Sequence, residues 1–336
     1  DLNFLGKNLT LRSELGPGLT IIDGTAASSV FEFGSGEGPD AILDGFTITN
    51  GMKWDGGGVS IIADPNGFIS SPTIQNCIIE NNVGSGGGGG MQIRGGSLTL
   101  VDNCLIQNNT TTFYHGAGVV IFGSSPIFRN CTIRNNVATG TGGAFGIWDS
   151  ASDVTIRNSI LCGNSPSNID LYNGAATVRV RYSLSEGDSS QSWFGTGCID
   201  GDPLFASGPR GDSYLSQIAS GQLADSPCLD VGKPSTPAFG ITRTDHVQDQ
   251  GIVDLGFHYL NYYEILLSST GAPGGTMTFD VSEATPFGPL IYFYSFALGS
   301  YSGTNPFTGN VVTTGLGALR FNIAALVGAD GLGDYS

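Results

Sequence analysis

The chain has 336 residues, 53 of them glycine, with 13 basic residues against 29 acidic ones and a formal net charge of −16. This balance argues against a nucleic-acid partner, because phosphate binding needs a basic surface, whereas it suits solubility and divalent cations. No apolar run approaches the roughly 18 residues of a membrane-spanning helix, so no transmembrane segment is expected.

The first stretches, "GKNLTLRSELGPGLTIIDG" and "DAILDGFTITNG", read as short strands punctuated by Gly and Pro, with a loose period. The chain opens on Asp1 in what is already a strand pattern, so a mature or trimmed piece of a longer polypeptide is expected. From Ser71 the same words return: "SPTIQNCIIENN", "LTLVDNCLIQNN", "SPIFRNCTIRNN" and "DVTIRNSILCGN". Their first asparagines are Asn76, Asn103, Asn130 and Asn158, and their last are Asn82, Asn109, Asn136 and Asn164, so both columns are spaced by 27, 27 and 28 residues. A glycine word precedes each unit, starting at Gly56, Gly87, Gly116 and Gly142. A fixed period of this size means a solenoid.

Inside each unit the period is two. Ile74, Val101, Phe128 and Ile156 share one face, and Gln75, Asp102, Arg129 and Arg157 point the other way. After the asparagine the phase flips: Cys77, Cys104, Cys131 and Ser159 share a face with Ile79, Ile106, Ile133 and Leu161, while Glu80, Gln107, Arg134 and Cys162 face out. A flip with apolar residues inward on both sides is a bend. With the strand after the glycines, this gives three strands per turn and predicts an all-β parallel β-helix over residues 1–190. Successive turns stack about 4.8 Å apart, so both asparagine columns become corner ladders that bond amide to amide and satisfy backbone groups at the bends. The Cys77, Cys104, Cys131 column reads as buried thiols, since stacked side chains point in parallel and suit a disulfide poorly.

Residues 191–262 lose the repeat, are rich in Asp, Gly and Pro, and read as an irregular segment that caps the helix. Here Cys198 and Cys228 are expected to form a disulfide, as in a secreted setting; the alternative is two free thiols. Residues 263–336 carry strand words separated by turns and predict a small antiparallel β-sandwich. The sequence stops at "GADGLGDYS", where another strand is expected, so the sandwich reads as incomplete.

The loops between the second asparagine column and the glycines carry Trp54, Phe113, Tyr114 and His115. Trp54 and Tyr114 are candidates for stacking on a sugar ring; the alternative is packing on neighbouring loops. His115 could serve as a base but has no evident partner in sequence. The outward columns hold one carboxylate each, and Asp102 over Arg129 reads as a cross-strand ion pair. Glycoside hydrolysis needs paired carboxylates, so the reading leans away from an enzyme and assigns no catalytic residue. Asp200, Asp202, Asp245, Asp249 and Asp254 are the candidate metal ligands, suited to a structural Ca²⁺. Their alternative role is capping turns. The tract Gly86–Gly90 lacks the Lys-Ser/Thr of a phosphate loop and reads as a tight passage.

The glycine words followed by "IFRN" resemble the repeats of polymorphic outer-membrane proteins, which pair a GGA-type motif with F-x-x-N. More broadly, residues 1–190 resemble right-handed β-helices of the secreted, pectate-lyase-like bacterial superfamily. "CIDGDPLF" through "TRTDHVQDQGIVDLGFHY" is similar to the segment that closes such helices in bacterial surface proteins. This resemblance implies a right-handed coil and an extracellular or cell-surface bacterial setting. It leaves function open, because the fold hosts lyases, adhesins and spacers alike. The expected function is a structural or adhesive module, able to self-associate into a filament head to tail or by strand complementation, or to bind surface proteins or glycans. The alternative is a carbohydrate-active β-helix, lyase-like or sugar-binding.

Overall fold

The computed structural model describes residues 1–172 and 176–260, and beyond them the backbone of strands Ser269–Thr270, Thr278–Phe279, Ile291–Ala297, Tyr301–Thr304, Val311–Thr314 and Gly317–Ile323. The chain divides into two compact units, Asp1–Tyr262 and Tyr263–Ser336. In the second, Ile291–Ala297 pairs antiparallel with Gly317–Ile323, Tyr301–Thr304 with Val311–Thr314, and Ser269–Thr270 with Thr278–Phe279. The expected sandwich packing and the missing last strand lie outside the described residues.

The first unit is a β-solenoid of seven coils built on three seven-stranded parallel sheets. The first sheet runs from Leu2–Asn3 to Ile169–Leu171, the second from Thr10–Arg12 to Thr177–Arg181, the third from Ile21–Asp23 to Leu184–Ser185. The repeat sets the register. Ile74 pairs with Val101, Val101 with Phe128 and Phe128 with Ile156 on the second sheet. On the third, Ile79, Ile106, Ile133 and Leu161 stack in the same way. All eight side chains are fully buried. A fourth, three-stranded sheet of Met52–Asp55, Val83–Gly87 and Thr110–Thr111 projects from the corner between the third and first sheets.

The glycine words mark where coils touch backbone to backbone. A Cβ on Gly90 would lie 2.5 Å from the Gly118 carbonyl oxygen and 3.0 Å from Asn109 Nδ2. The second asparagine column sits beside that contact and forms an unbroken ladder. The Nδ2 groups of Asn82, Asn109 and Asn136 donate to the Oδ1 atoms of Asn109, Asn136 and Asn164, each at 3.0 Å. Each Oδ1 also accepts the backbone N–H of the asparagine one coil earlier, again at 3.0 Å. The preceding Asn81, Asn108 and Asn135 take left-handed φ of 56°, 54° and 54°. The doublet thus turns the chain with its first residue and seals the corner with its second.

The first column behaves differently. Asn76, Asn103, Asn130 and Asn158 all turn the corner with φ between 48° and 54°. Asn103 donates to Asn76 Oδ1 at 3.0 Å and Asn158 to Asn130 Oδ1 at 3.1 Å, but Asn130 donates to Asp102 Oδ1 instead of to Asn103. The ladder breaks there because Asn103 is taken by the closing segment: its Oδ1 accepts His258 N–H at 2.7 Å and its Nδ2 donates to the His258 carbonyl at 2.9 Å. Asn158 likewise accepts Lys233 N–H at 2.9 Å.

That segment does two jobs. Residues 191–199 lie over the last coil, with bridges Val180 to Phe194 and Leu184 to Ile199 and with Trp193 in the end of the core. The chain then returns along the outside of the third sheet. Tyr214, Ile241, Phe257 and Tyr259 cover Leu105, and the Phe257 N–H donates to Thr132 Oγ1 at 3.0 Å. Arg134 and Cys162, expected to face out to solvent, are therefore buried at 6 % exposure each. Arg134 is held by the Asp212 carboxylate and carbonyl, and Cys162 packs with Leu215, Cys228 and Leu255.

The expected Cys198–Cys228 disulfide does not form; all six cysteines are free. Cys198 packs against the end of the solenoid core, whereas Cys228 sits in the separate cluster under the returning segment. Burial pushes the Cys162 and Cys228 thiols up to about 12. In the Cys77, Cys104, Cys131 stack, burial raises Cys104 and Cys131 well above the usual thiol range.

Candidate functional site

The aromatic residues gather on one flank. On the first sheet, Met91–Arg94 pairs in register with Val119–Phe122, which pairs with Phe145–Ile147, which pairs with Ile169–Leu171. The outward positions at the ends of these strands are Arg94, Phe122, Trp148 and Tyr172. Phe122 and Trp148 have ring centroids 5.6 Å apart, and Trp148 stacks on Tyr172 at 3.9 Å. The guanidinium of Arg94 lies 5.9 Å from the centre of the Phe122 ring.

The projecting sheet brings the loop aromatics to the same place. Trp54 sits on its first strand, and Thr110–Thr111 leads directly into Phe113, Tyr114 and His115. Trp54 lies 6.3 Å from Phe113 and 6.4 Å from Tyr114, and Tyr114 lies 6.3 Å from Trp148. His115 joins Trp148 at 5.3 Å and Tyr172 at 5.5 Å. The seven rings form one connected strip. Trp54, Phe113, Tyr114 and Tyr172 remain 59 %, 66 %, 47 % and 40 % exposed, a large uncovered aromatic area for residues that also pack on each other.

Trp54 and Tyr114 thus pack on neighbouring loop aromatics and stay partly exposed. Phe122, Trp148 and Tyr172 were not singled out from sequence. The signal was there, because Ile62, Arg94, Phe122 and Trp148 follow the glycine words at one equivalent position.

Carboxylates fringe the strip. Asp55 follows Trp54; its Oδ1 accepts the Gly87 N–H at 2.8 Å and its Oδ2 accepts from Gln92 Nε2 at 3.1 Å. Burial holds the Asp55 carboxyl above the usual range despite these bonds. Glu32 is paired with Lys53. His115 Nδ1 accepts the Thr141 N–H at 3.0 Å and lies 2.7 Å from Thr141 Oγ1, which places a neutral ring's proton on Nε2. Asp170 Oδ2 stands 3.5 Å from that same Nδ1. An aromatic surface edged with hydrogen-bonding carboxylates is suited to sugars, whose rings offer an apolar C–H face and a rim of hydroxyls.

The candidate metal ligands separate. Asp200 accepts the Gly187 N–H at 2.6 Å, reaching back to a turn 13 residues earlier, and Asp202 caps its own turn by accepting the Leu204 N–H at 2.8 Å. Asp245 pairs with Arg243. Asp249 and Asp254 do come together, joined by Asp230, with carboxylate oxygens of all three within 4.8 Å of one another. They line a cavity of about 210 Å³ with Gln217, Thr242 and Arg243. Burial, with Asp249 adding to it, pushes Asp254 up to about 6. Its oxygens accept the Asp230 N–H at 2.8 Å and the Thr242 hydroxyl at 2.5 Å. Asp230 carried no signal in sequence, lying far from the other two.

Comparison with protein families matches residues 6–183 to the family described as right handed beta helix region. The match covers just over half of the 336 residues, and the chain belongs to that family. Comparison with curated proteins and with solved structures gives no significant match.

Proposed function

We propose that this right-handed β-helix protein is an extracellular, surface-associated module that binds carbohydrate along the aromatic strip of its first sheet. The observation that carries the reading is the continuity of the strip. Rings from the coil strands and from the projecting loops meet in one exposed surface, on a scaffold whose strands are locked by register. Rigid presentation limits the entropy lost on binding, which is what a weak ligand such as a sugar chain needs. The extracellular bacterial setting rests on the likeness of the repeats to those of outer-membrane and secreted β-helices. Binding to a surface glycan would make the module adhesive, so the structural and the sugar-binding expectations describe one protein.

The test is affinity electrophoresis of the full chain through gels containing neutral, amino-sugar and uronate polysaccharides, followed by calorimetry on the best oligosaccharide. Retardation by at least one polysaccharide is expected, with Trp148→Ala and Trp54→Ala each lowering affinity about tenfold, the scale of one lost aromatic contact. Mobility unchanged in every gel would reject the function. Binding that both variants retain in full would place the site elsewhere.

A further inference from the structure

The charges around the strip are uneven. Lys53 is neutralised by Glu32. Arg94 is the remaining cation, and it leans on Phe122 at one edge. Against it stand Asp55 next to Trp54, Asp149 next to Trp148, and Asp170 beside His115 and two residues before Tyr172. Asp149 caps its own turn, bonding the Ala151 N–H at 3.0 Å. Asp55 is bonded at both oxygens, by the Gly87 N–H and by Gln92 Nε2, and feels the positive charges of Arg94 and Lys53. A Cβ on Gly86 would lie 2.8 Å from Asp55 Oδ1 and 2.6 Å from Trp54 Nε1, so the Gly86 backbone closes that place. Asp170 is different. It accepts no hydrogen bond on its side chain among the described residues, and His115 Nδ1, 3.5 Å from its Oδ2, is engaged by Thr141.

We infer that the strip selects a glycan bearing free amino groups, a polymer of glucosamine type, over neutral and uronate glycans. This inference rests on the carbohydrate-binding reading above. An ammonium group against Asp170 would sit beside the Trp148 and Tyr172 rings, where cation–π attraction adds to the ion pair. A uronate would meet the Asp170 carboxylate, and like charges there are costly. A neutral or N-acetylated sugar would gain the stacking and leave Asp170 without a cation.

The experiment compares calorimetric affinities of the full chain at pH 6 for glucosamine, N-acetylglucosamine, glucose and galacturonate hexamers. The glucosamine hexamer is expected to bind at least tenfold tighter than the N-acetylated one. Asp170→Asn should narrow that ratio by about threefold or more, and added salt should narrow it further. A chain of net charge −16 attracts any polycation, so charge-preserving variants are the control. Trp148→Ala and Tyr114→Ala, checked for native circular dichroism, should weaken glucosamine binding about tenfold. Glucosamine affinity unaltered by both would show diffuse attraction and overturn the inference. Equal affinity for glucosamine and N-acetylglucosamine, or a preference for galacturonate, would also overturn it while leaving carbohydrate binding intact. Failure of all four hexamers would remove both.

Discussion

Asn109→Ala tests the second ladder most directly. Asn109 is fully buried, and its side chain makes four hydrogen bonds. Oδ1 accepts the Asn82 N–H and Asn82 Nδ2, each at 3.0 Å. Nδ2 donates to the Ile79 carbonyl at 2.9 Å and to Asn136 Oδ1 at 3.0 Å. Truncation leaves the Asn82 N–H without its acceptor in a corner that water does not reach. Each orphaned buried group costs about 1–3 kcal/mol, and the small cavity adds to it, so the expected loss is roughly 3–5 kcal/mol. The neighbour Asn108 is the internal control. It is exposed, with φ of 54°, and its replacement by Ala should cost only about 1 kcal/mol of left-handed strain. Replacement of Asn108 by Gly should cost less still. Urea denaturation reads the difference as a shift in midpoint at constant slope. Coils unfold in sequence in a solenoid, so amide exchange at Ile79, Asn82 and Asn136 should locate the loss within neighbouring coils. Equal effects of Asn109→Ala and Asn108→Ala would refute the ladder as a source of stability.

Further predictions concern the closing segment. Asp254 has its carboxyl raised from 3.8 to about 6, so its contribution to stability is fully present below about pH 3.8 and is lost as pH rises through about 6. The shift of about two units corresponds to at most about 3 kcal/mol. Melting temperature followed from about pH 4 to 8 should decline less steeply in Asp254→Asn than in the parent; parallel profiles would show that Asp254 is not the group responsible. We further propose that Ca²⁺ answers the same demand at Asp230, Asp249 and Asp254, in which case millimolar Ca²⁺ raises the melting temperature near pH 8 and Asp254→Asn abolishes the rise. With six free cysteines, denatured protein kept from air should titrate with six equivalents of a thiol reagent; four would restore the disulfide. In the native state at about pH 8, Cys162 and Cys228 should not react, because burial keeps their thiols protonated and covered.

The solenoid was legible in sequence because its stabilising elements recur. A column of identical residues betrays both the stacking and the bend, which is why Ile74 to Ile156 and Asn82 to Asn164 could be placed before any coordinate. What stayed hidden depends on contacts between distant segments. The break in the first ladder comes from His258, 155 residues beyond Asn103. Nothing local to "VDNC" foretells it. The burial of Arg134 and Cys162 has the same origin, since an outward position on a strand is read as solvated unless the covering segment is known. Cys198 and Cys228 looked like partners because both lie in loop-rich sequence. The fold instead spends the stretch between them in passing from the end of the core to its flank.

The strip joins these two levels. Its floor obeys the repeat: Phe122, Trp148 and Tyr172 hold one column because the strands beneath them are in register. Its wall escapes the repeat, since the aromatics Trp54, Phe113 and Tyr114 do not recur at matching positions from coil to coil. In a β-helix the core forbids change, as Gly90 shows, where even a methyl group would strike the next coil. Extra residues are found at corners, as in the Asp64–Phe68 turn closed by the Ala63–Ile69 bridge. Chemistry specific to this chain can collect at such a corner and on the strand ends beside it, which is where the exposed rings and Asp170 are found. Replacing Phe113 and Tyr114 together by Ser separates the two parts. The coils should keep their stability within about 1 kcal/mol, as surface loop changes do. Glycan affinity should fall to that of the floor alone. Loss of the fold would show that the loop is part of the scaffold, and unchanged affinity would confine recognition to the coil column.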